Sequence, residues 1–285
     1  MTHTEMLKAA SIGVASTTLW QDGFNPDVAA TLAHIERRVA LGAQMVVVGG
    51  TTGGGHQMRH AMKVALYKAV GDRFARRVAL VAGIGTTNPQ QARQIIRCAE
   101  SCNFDGVLAL PNSNDPQLLH KLAACLEATG KNPPGLIVYI IPQLDPSYTA
   151  TPQQIDKLKL AHPRLYVAVK DSRGSIDGLL EWYRQDPFMD VWIGSDLIAA
   201  PGFYALSCLG LYPKTLRVIS GSANVPGALE DLLRMDAAAK RPGSVDYAAM
   251  LDAQRGLSSV VYELLQDASD SFAEAVQRAL QTRLA

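Results

Sequence analysis

Eight short apolar runs, each followed by a stretch of helical character, constrain this chain more than any other feature. They read "SIGVASTTL" (11–19), "AQMVVVGG" (43–50), "RVALVAGIG" (77–85), "DGVLALP" (105–111), "GLIVYIIP" (135–142), "LYVAVKD" (165–171), "DVWIGS" (190–195) and "LRVIS" (216–220). Runs of four to eight residues rich in Val, Ile and Leu, without polar alternation, are the pattern of strands buried on both faces, as in parallel sheets. Between them, patterns such as "NPDVAATLAHIERRVALG" (25–42), "NPQQARQIIRCAESC" (88–102) and "DPQLLHKLAACLEATG" (115–130) repeat their apolar residues at steps of three and four. Asn25, Asn88, Asp115 and Thr151 each precede a proline. That pairing predicts an N-cap residue with Pro at the first helical position.

Eight alternations of buried strand and amphipathic helix predict an α/β fold, a parallel sheet closed into a (β/α)8 barrel over residues 1–224. An open doubly wound sheet seldom needs eight nearly equal units. After Pro226 the pattern is helical to the end, so 225–285 reads as a C-terminal helical region. A length of 285 residues suits one large domain of this class. The 27 basic and 26 acidic residues leave a net charge of +1 with no block of either sign, which implies neither nucleic acid nor an anionic membrane as partner. The expected partner is a small molecule or a second copy of the chain. Cys98, Cys102, Cys125 and Cys208, with no apolar N-terminal leader and no apolar run of roughly 18 residues, lead to the expectation of a reduced cytoplasmic protein.

In a barrel of this kind, chemistry sits at the C-terminal ends of the strands. That rule selects "VGGTTGGG" (48–55), Tyr139 on strand five, Lys170 on strand six, "IGSD" (193–196) and "VISGSAN" (218–224). Lys170 and Tyr139 fall on neighbouring strands, so an amine and a phenol meet at the barrel mouth. Removal from water favours the neutral form of an amine, and neutral amine attacks a ketone to give a Schiff base. The protonated imine is an electron sink for making or breaking the adjacent carbon–carbon bond, with a phenol to carry the proton. Glycines around Thr51 and Thr52 leave backbone N–H groups open to a carboxylate. Together these groups suit an α-keto acid.

Each feature also has a plainer structural reading. A lysine ending a strand is often a solvated charge, a buried tyrosine is often a core residue with a satisfied hydroxyl, and "GGTTGGG" is also a tight turn. No Gly-Lys-Ser/Thr follows it, and "GIGTTN" (83–88) lacks the last glycine of a dinucleotide fingerprint. His56 and His60 have the i, i+4 spacing of a metal pair but no third ligand, which favours a solvated or loop role. Cys98 and Cys102 have helical spacing and read as buried thiols.

In order along the chain, "GGTTGG", "VYIIP", "VKDSRG" and "VISGSANVP" resemble motifs of the dihydrodipicolinate synthase/N-acetylneuraminate lyase superfamily of class I aldolases. The resemblance covers most of the chain. It implies a TIM barrel with a C-terminal helical region, commonly a homotetramer or dimer, and neither metal nor organic cofactor. It further implies a Schiff-base lysine at Lys170, a proton-handling tyrosine at Tyr139 and keto-acid carboxylate binding at Thr51, Thr52 and Gly53, with further substrate contacts at Gly194 and Ile219. Three departures bear on substrate. Gly54 stands where the family has a glutamate; Asn112 and Ser113 replace a tyrosine pair, with Asn112 a candidate substrate contact; and the arginine by which dihydrodipicolinate synthases hold their aldehyde's carboxylate is absent, with Leu144 at about its place. "GSD" resembles the sialic acid lyases' motif, so Asp196 either binds a polyol chain or caps the next helix. The expected activity is cleavage or formation of a pyruvate-type 2-keto acid, a 2-keto-3-deoxy sugar acid for example. A dehydratase or hydratase-aldolase on the same imine, a dihydrodipicolinate synthase-like protein, and a keto-acid-binding member without turnover are the alternatives; the three departures argue against true dihydrodipicolinate synthase activity.

Overall fold

The computed structural model describes residues 1–21, 25–85, 88–209, 216–241, 245–266 and 271–284. The first helix, α1 (His3–Ala9), precedes the barrel. Strands and helices then alternate: β1 (Ile12–Ala15), α2 (Val28–Ala40), β2 (Met45–Val48), α3 (His60–Phe74), β3 (Ala79–Gly83), α4 (Pro89–Ser101), β4 (Gly106–Ala109), α5 (Leu118–Glu127), β5 (Gly135–Ile140), α6 (Pro152–Ala161), β6 (Val167–Asp171), α7 (Ile176–Gln185), β7 (Val191–Ile193), α8 (Ala199–Cys208) and β8 (Val218–Ser220). Three more helices follow: α9 (Ala228–Ala239), α10 (Tyr247–Gln266) and α11 (Phe272–Leu284). All eight strands pair in parallel, and β1 bonds to both β2 and β8, so the sheet closes on itself. The predicted (β/α)8 barrel is the observed architecture.

The unbroken apolar runs follow from burial on both faces. Along each strand alternate residues point in or out. Val14, Val46, Leu80, Val107, Val138, Val169 and Val218 face the helical shell. Met45, Val47, Val81, Leu108, Ile137, Ala168, Trp192 and Ile219 fill the interior. Leu7 of α1 joins that interior cluster from below. It fits because a Cβ on Gly135 would lie 2.6 Å from its Cδ1. The barrel is thus filled and plugged at its N-terminal end, which leaves the C-terminal mouth for ligands.

Two of the four proline-linked caps form as predicted. Asn88 accepts from the N–H groups of Gln90 and Gln91, and Thr151 makes a capping box with Gln154. The other two shift by two residues. Asp27 caps α2, because its carboxylate accepts from Ala30 N–H while Pro26 bridges to Trp20. Asp115 accepts from Gln117 N–H and pairs with Lys121 in a turn before α5. No helix among the described residues is long and apolar enough to cross a membrane.

Candidate active site at the barrel mouth

Lys170 is the penultimate residue of β6, and its inward position follows from alternation with the outward Val169 and Asp171. It is 4% exposed. Strand register pairs it with Tyr139 on β5 and Trp192 on β7. Its Nζ lies 4.4 Å from the centroid of the Tyr139 ring, well inside the range of a cation–π contact worth about 0.5–2 kcal/mol. On its other side Gly194 leaves room for the lysine, since a Cβ there would come within 2.9 Å of Lys170 Cε and closer still to Ser172 Oγ.

Asp171, one residue on, faces outward and fixes the lysine-bearing strand end. Its carboxylate accepts from Arg173 Nη2 at 2.7 Å and from Trp182 Nε1 at 2.7 Å, the latter on α7. The loop after β2 carries Thr51, Thr52 and Gly53. Thr51 lines a cavity of 210 Å³ together with Gly49, Gly50, Tyr139, Leu144, Asp145 and Tyr148. Thr52 Oγ1 sits against Gly221, 3.1 Å from the place of its missing Cβ.

The β7 and β8 ends meet in a buried polar cluster. Asp196 Oδ2 accepts from Ser222 Oγ at 2.6 Å and from Ser222 N–H at 3.2 Å, and Ser222 Oγ lies 3.2 Å from Ser220 Oγ. Its other oxygen, Oδ1, is buried without a partner. Burial pushes the Asp196 carboxyl up from its ordinary range, while the serine donors and the Lys170 charge pull it back. The carboxylate therefore ties β7 to β8 and does not cap α8, whose start has no side-chain cap. Ile219 is an interior core residue beneath this cluster.

Of the residues singled out from sequence, Lys170, Tyr139, Thr51, Thr52, Gly53, Gly194, Asp196 and Ile219 all lie at or just below the mouth. Asn112 does not join them. Its Oδ1 accepts from Asn114 N–H, and the residue lines a separate 260 Å³ cavity between the β4 loop and α5–α6. His56 is exposed in a turn while His60 begins α3, so the two do not share a helical face. Among the described residues no cluster of three His, Cys, Asp or Glu could hold a metal ion. Thr86 and Thr87 of "GIGTTN" lie outside the described residues.

Two residues escaped the sequence reading. Tyr148 brings a second phenol to the cavity wall from the β5 loop. Asn224, fully buried, ties the β8 loop to β1: Oδ1 accepts from Thr17 N–H and His34 Nε2, and Nδ2 donates to Ala15 O and Gly221 O. The motif "VISGSANVP" contains Asn224, but nothing local says where its four bonds go.

The model of the dihydrodipicolinate synthetase family matches residues 9–229. The chain belongs to that family. Its relatives include 4-hydroxy-tetrahydrodipicolinate synthase 1 of Halalkalibacterium halodurans, 28% identical over 67% of this chain and 64% of the relative, and the same organism's synthase 2, 26% identical over 80% and 74%. The enzyme of that name from Moorella thermoacetica is 31% identical over 65% of this chain and 61% of its own. The matched part therefore spans a little under two thirds of the first and third of these relatives. Among solved structures, a 2-keto-3-deoxygluconate aldolase from Picrophilus torridus superposes with TM-score 0.79 at 17% identity, covering 96% of this chain and 93% of that one. The Ruminococcus gnavus sialic acid aldolase gives 0.80 at 15%, covering 96% and 87%. At such identities these neighbours establish the shared barrel.

Proposed function

We propose that this family member is a class I, Schiff-base-forming lyase that makes or breaks a carbon–carbon bond in a pyruvate-type 2-keto acid. The observation that carries the reading is the buried Lys170 amine set against the Tyr139 ring at the mouth of a filled barrel. Lys170 attacks the keto carbon, and loss of water gives the imine. Tyr139, one strand away, moves the proton during cleavage or condensation. Thr51, Thr52 and Gly53 receive the carboxylate at the glycine-lined turn.

The substrate reading favours a 2-keto-3-deoxy acid over the aldehyde of dihydrodipicolinate synthesis. With Leu144 and Asp145 on the β5 side of the cavity, no arginine among the described residues lines it to meet an aldehyde's carboxylate. Asp196, with an unpartnered oxygen near Lys170, suits hydroxyl groups. The family's usual assembly, a homotetramer or dimer, is carried over on the same footing.

Incubation with pyruvate and borohydride, followed by intact-mass and peptide mapping, tests the reading. A reduced adduct on Lys170, lost in Lys170→Ala with the fold retained, is expected. No adduct across a panel of 2-keto acids sinks the Schiff-base reading and favours keto-acid binding without turnover.

A further inference from the structure

Lys63 is a second buried lysine, which the imine chemistry leaves unused. It lies in the first turn of α3 and is 4% exposed. Its Nζ donates to Ile84 O at 3.2 Å. No carboxylate pairs with it among the described residues. An ammonium has three donors and a full charge, and burying one without a counter-charge costs several kcal/mol. Burial accordingly lowers its proton affinity.

Its Nζ lies behind the wall of the barrel-mouth cavity, against a lining glycine. The Nζ is 3.0 Å from where a Cβ on Gly85 would stand, and Gly85 lines the barrel-mouth cavity. His56 lines the same wall, close enough for the Lys63 charge to depress its proton affinity further after burial has done so. The adjoining N-terminus of α3 carries no side-chain cap, and His60 Nδ1 there is buried without a partner. Donors and helix dipole together favour negative charge at this place. The same cavity is also lined by Asp145, on the loop after β5, whose carboxyl is held below its ordinary range by the Ser147 N–H. The cavity is therefore polarised, positive toward β2–β3 and negative toward β5.

We propose that Lys63, with His56 beside it, forms an oxyanion subsite that binds a carboxylate or phosphoryl group at the far end of the substrate. This rests on the 2-keto-acid reading for the near end and supplies what the β5 side lacks. The substrate class is then a 2-keto acid with a second, distal anion.

The full-length protein is titrated calorimetrically with inorganic phosphate and with malonate, in the wild type, Lys63→Met and Lys63→Arg, each checked for folding by circular dichroism. Wild-type binding that weakens at least tenfold in Lys63→Met and is largely kept in Lys63→Arg supports the subsite. Preference for phosphate or for malonate tells a phosphoryl from a carboxylate end. A wild type that binds neither anion, or a Lys63→Met variant that binds both as the wild type does, overturns it. Should Lys63→Met not fold, His56→Gln, an exposed position, takes its place: about threefold weaker binding is expected, and unchanged binding overturns the subsite. Pyruvate trapping in the wild type reports the imine separately, so the two readings fail independently.

Discussion

His34 makes the protein lose stability in mild acid by an amount that can be worked out. The residue lies on α2, 1% exposed, and its Nε2 donates to Asn224 Oδ1 at 2.9 Å. Burial is the main reason its pKa falls from 6.5 to about 4, with Arg38 and Arg37 adding to the effect and the Asn224 bond opposing it. The folded pKa lies below the unfolded one, so between pH 6.5 and 4 the unfolded chain binds a proton that the folded protein refuses. Stability tied to this group is therefore intact above pH 6.5 and is lost as pH falls toward 4. A fall from 6.5 to about 4 corresponds to roughly 3 kcal/mol in full, of which about 2.4 kcal/mol is lost between pH 7 and 4.5. Urea unfolding followed by tryptophan fluorescence at both pH values, at one protein concentration, measures it. His34→Gln keeps a donor for Asn224 and cannot titrate. The wild type is expected to lose about 2 kcal/mol more than this variant over the interval, with all carboxylates common to both. Parallel losses would show that His34 is not held neutral in the native state and would refute the argument.

Gly194→Ala places a methyl against Lys170 Cε and Ser172 Oγ, so trapping of the pyruvate adduct slows at least tenfold while the melting temperature changes little by comparison. Asn224→Ala takes from Thr17 N–H, His34 Nε2 and the Ala15 carbonyl their buried side-chain partner; thermal unfolding should show about 2–4 kcal/mol of destabilisation at this fully buried site. Asp171→Asn removes the buried partner of the part-buried Arg173 and leaves it only the exposed Glu181, costing about 2 kcal/mol in chemical denaturation and loosening the Lys170 strand end. A variant as stable as the wild type would mean Arg173 is held by Glu181 alone.

The barrel was legible because its determinants are periodic. Double-sided burial writes uninterrupted Val-Ile-Leu runs, and strand ends announce the mouth. The neighbourhood of Lys170 and Tyr139 followed from that alone, since adjacent parallel strands in register bring equivalent positions together. Caps were half legible. Thr151 and Asn88 act within three residues, whereas Asp27 wins over Asn25 because Pro26 is engaged by Trp20, a contact beyond local chemistry. Asn224 and Lys63 were silent for the same reason. Their partners lie at Thr17, His34 and Ile84, and only the closed barrel brings them near. Asn112 was misplaced by analogy of position: the β4 loop folds onto its own turn, where an Asx bond to Asn114 satisfies the side chain.

The bond between β1 and β8 also sets a timetable for the newborn chain. Residues Ile12–Val14 pair with Val218–Ser220, so some 200 residues must be translated after the first strand before its second edge can be covered. At about 5–20 residues per second the ribosome takes roughly 10–40 s over them. Throughout that interval β1 presents an edge of unpaired backbone N–H and C=O groups, open to wrong pairing. Heat-shock induction or fast translation should therefore reveal itself in the yield of this protein before it does in its activity.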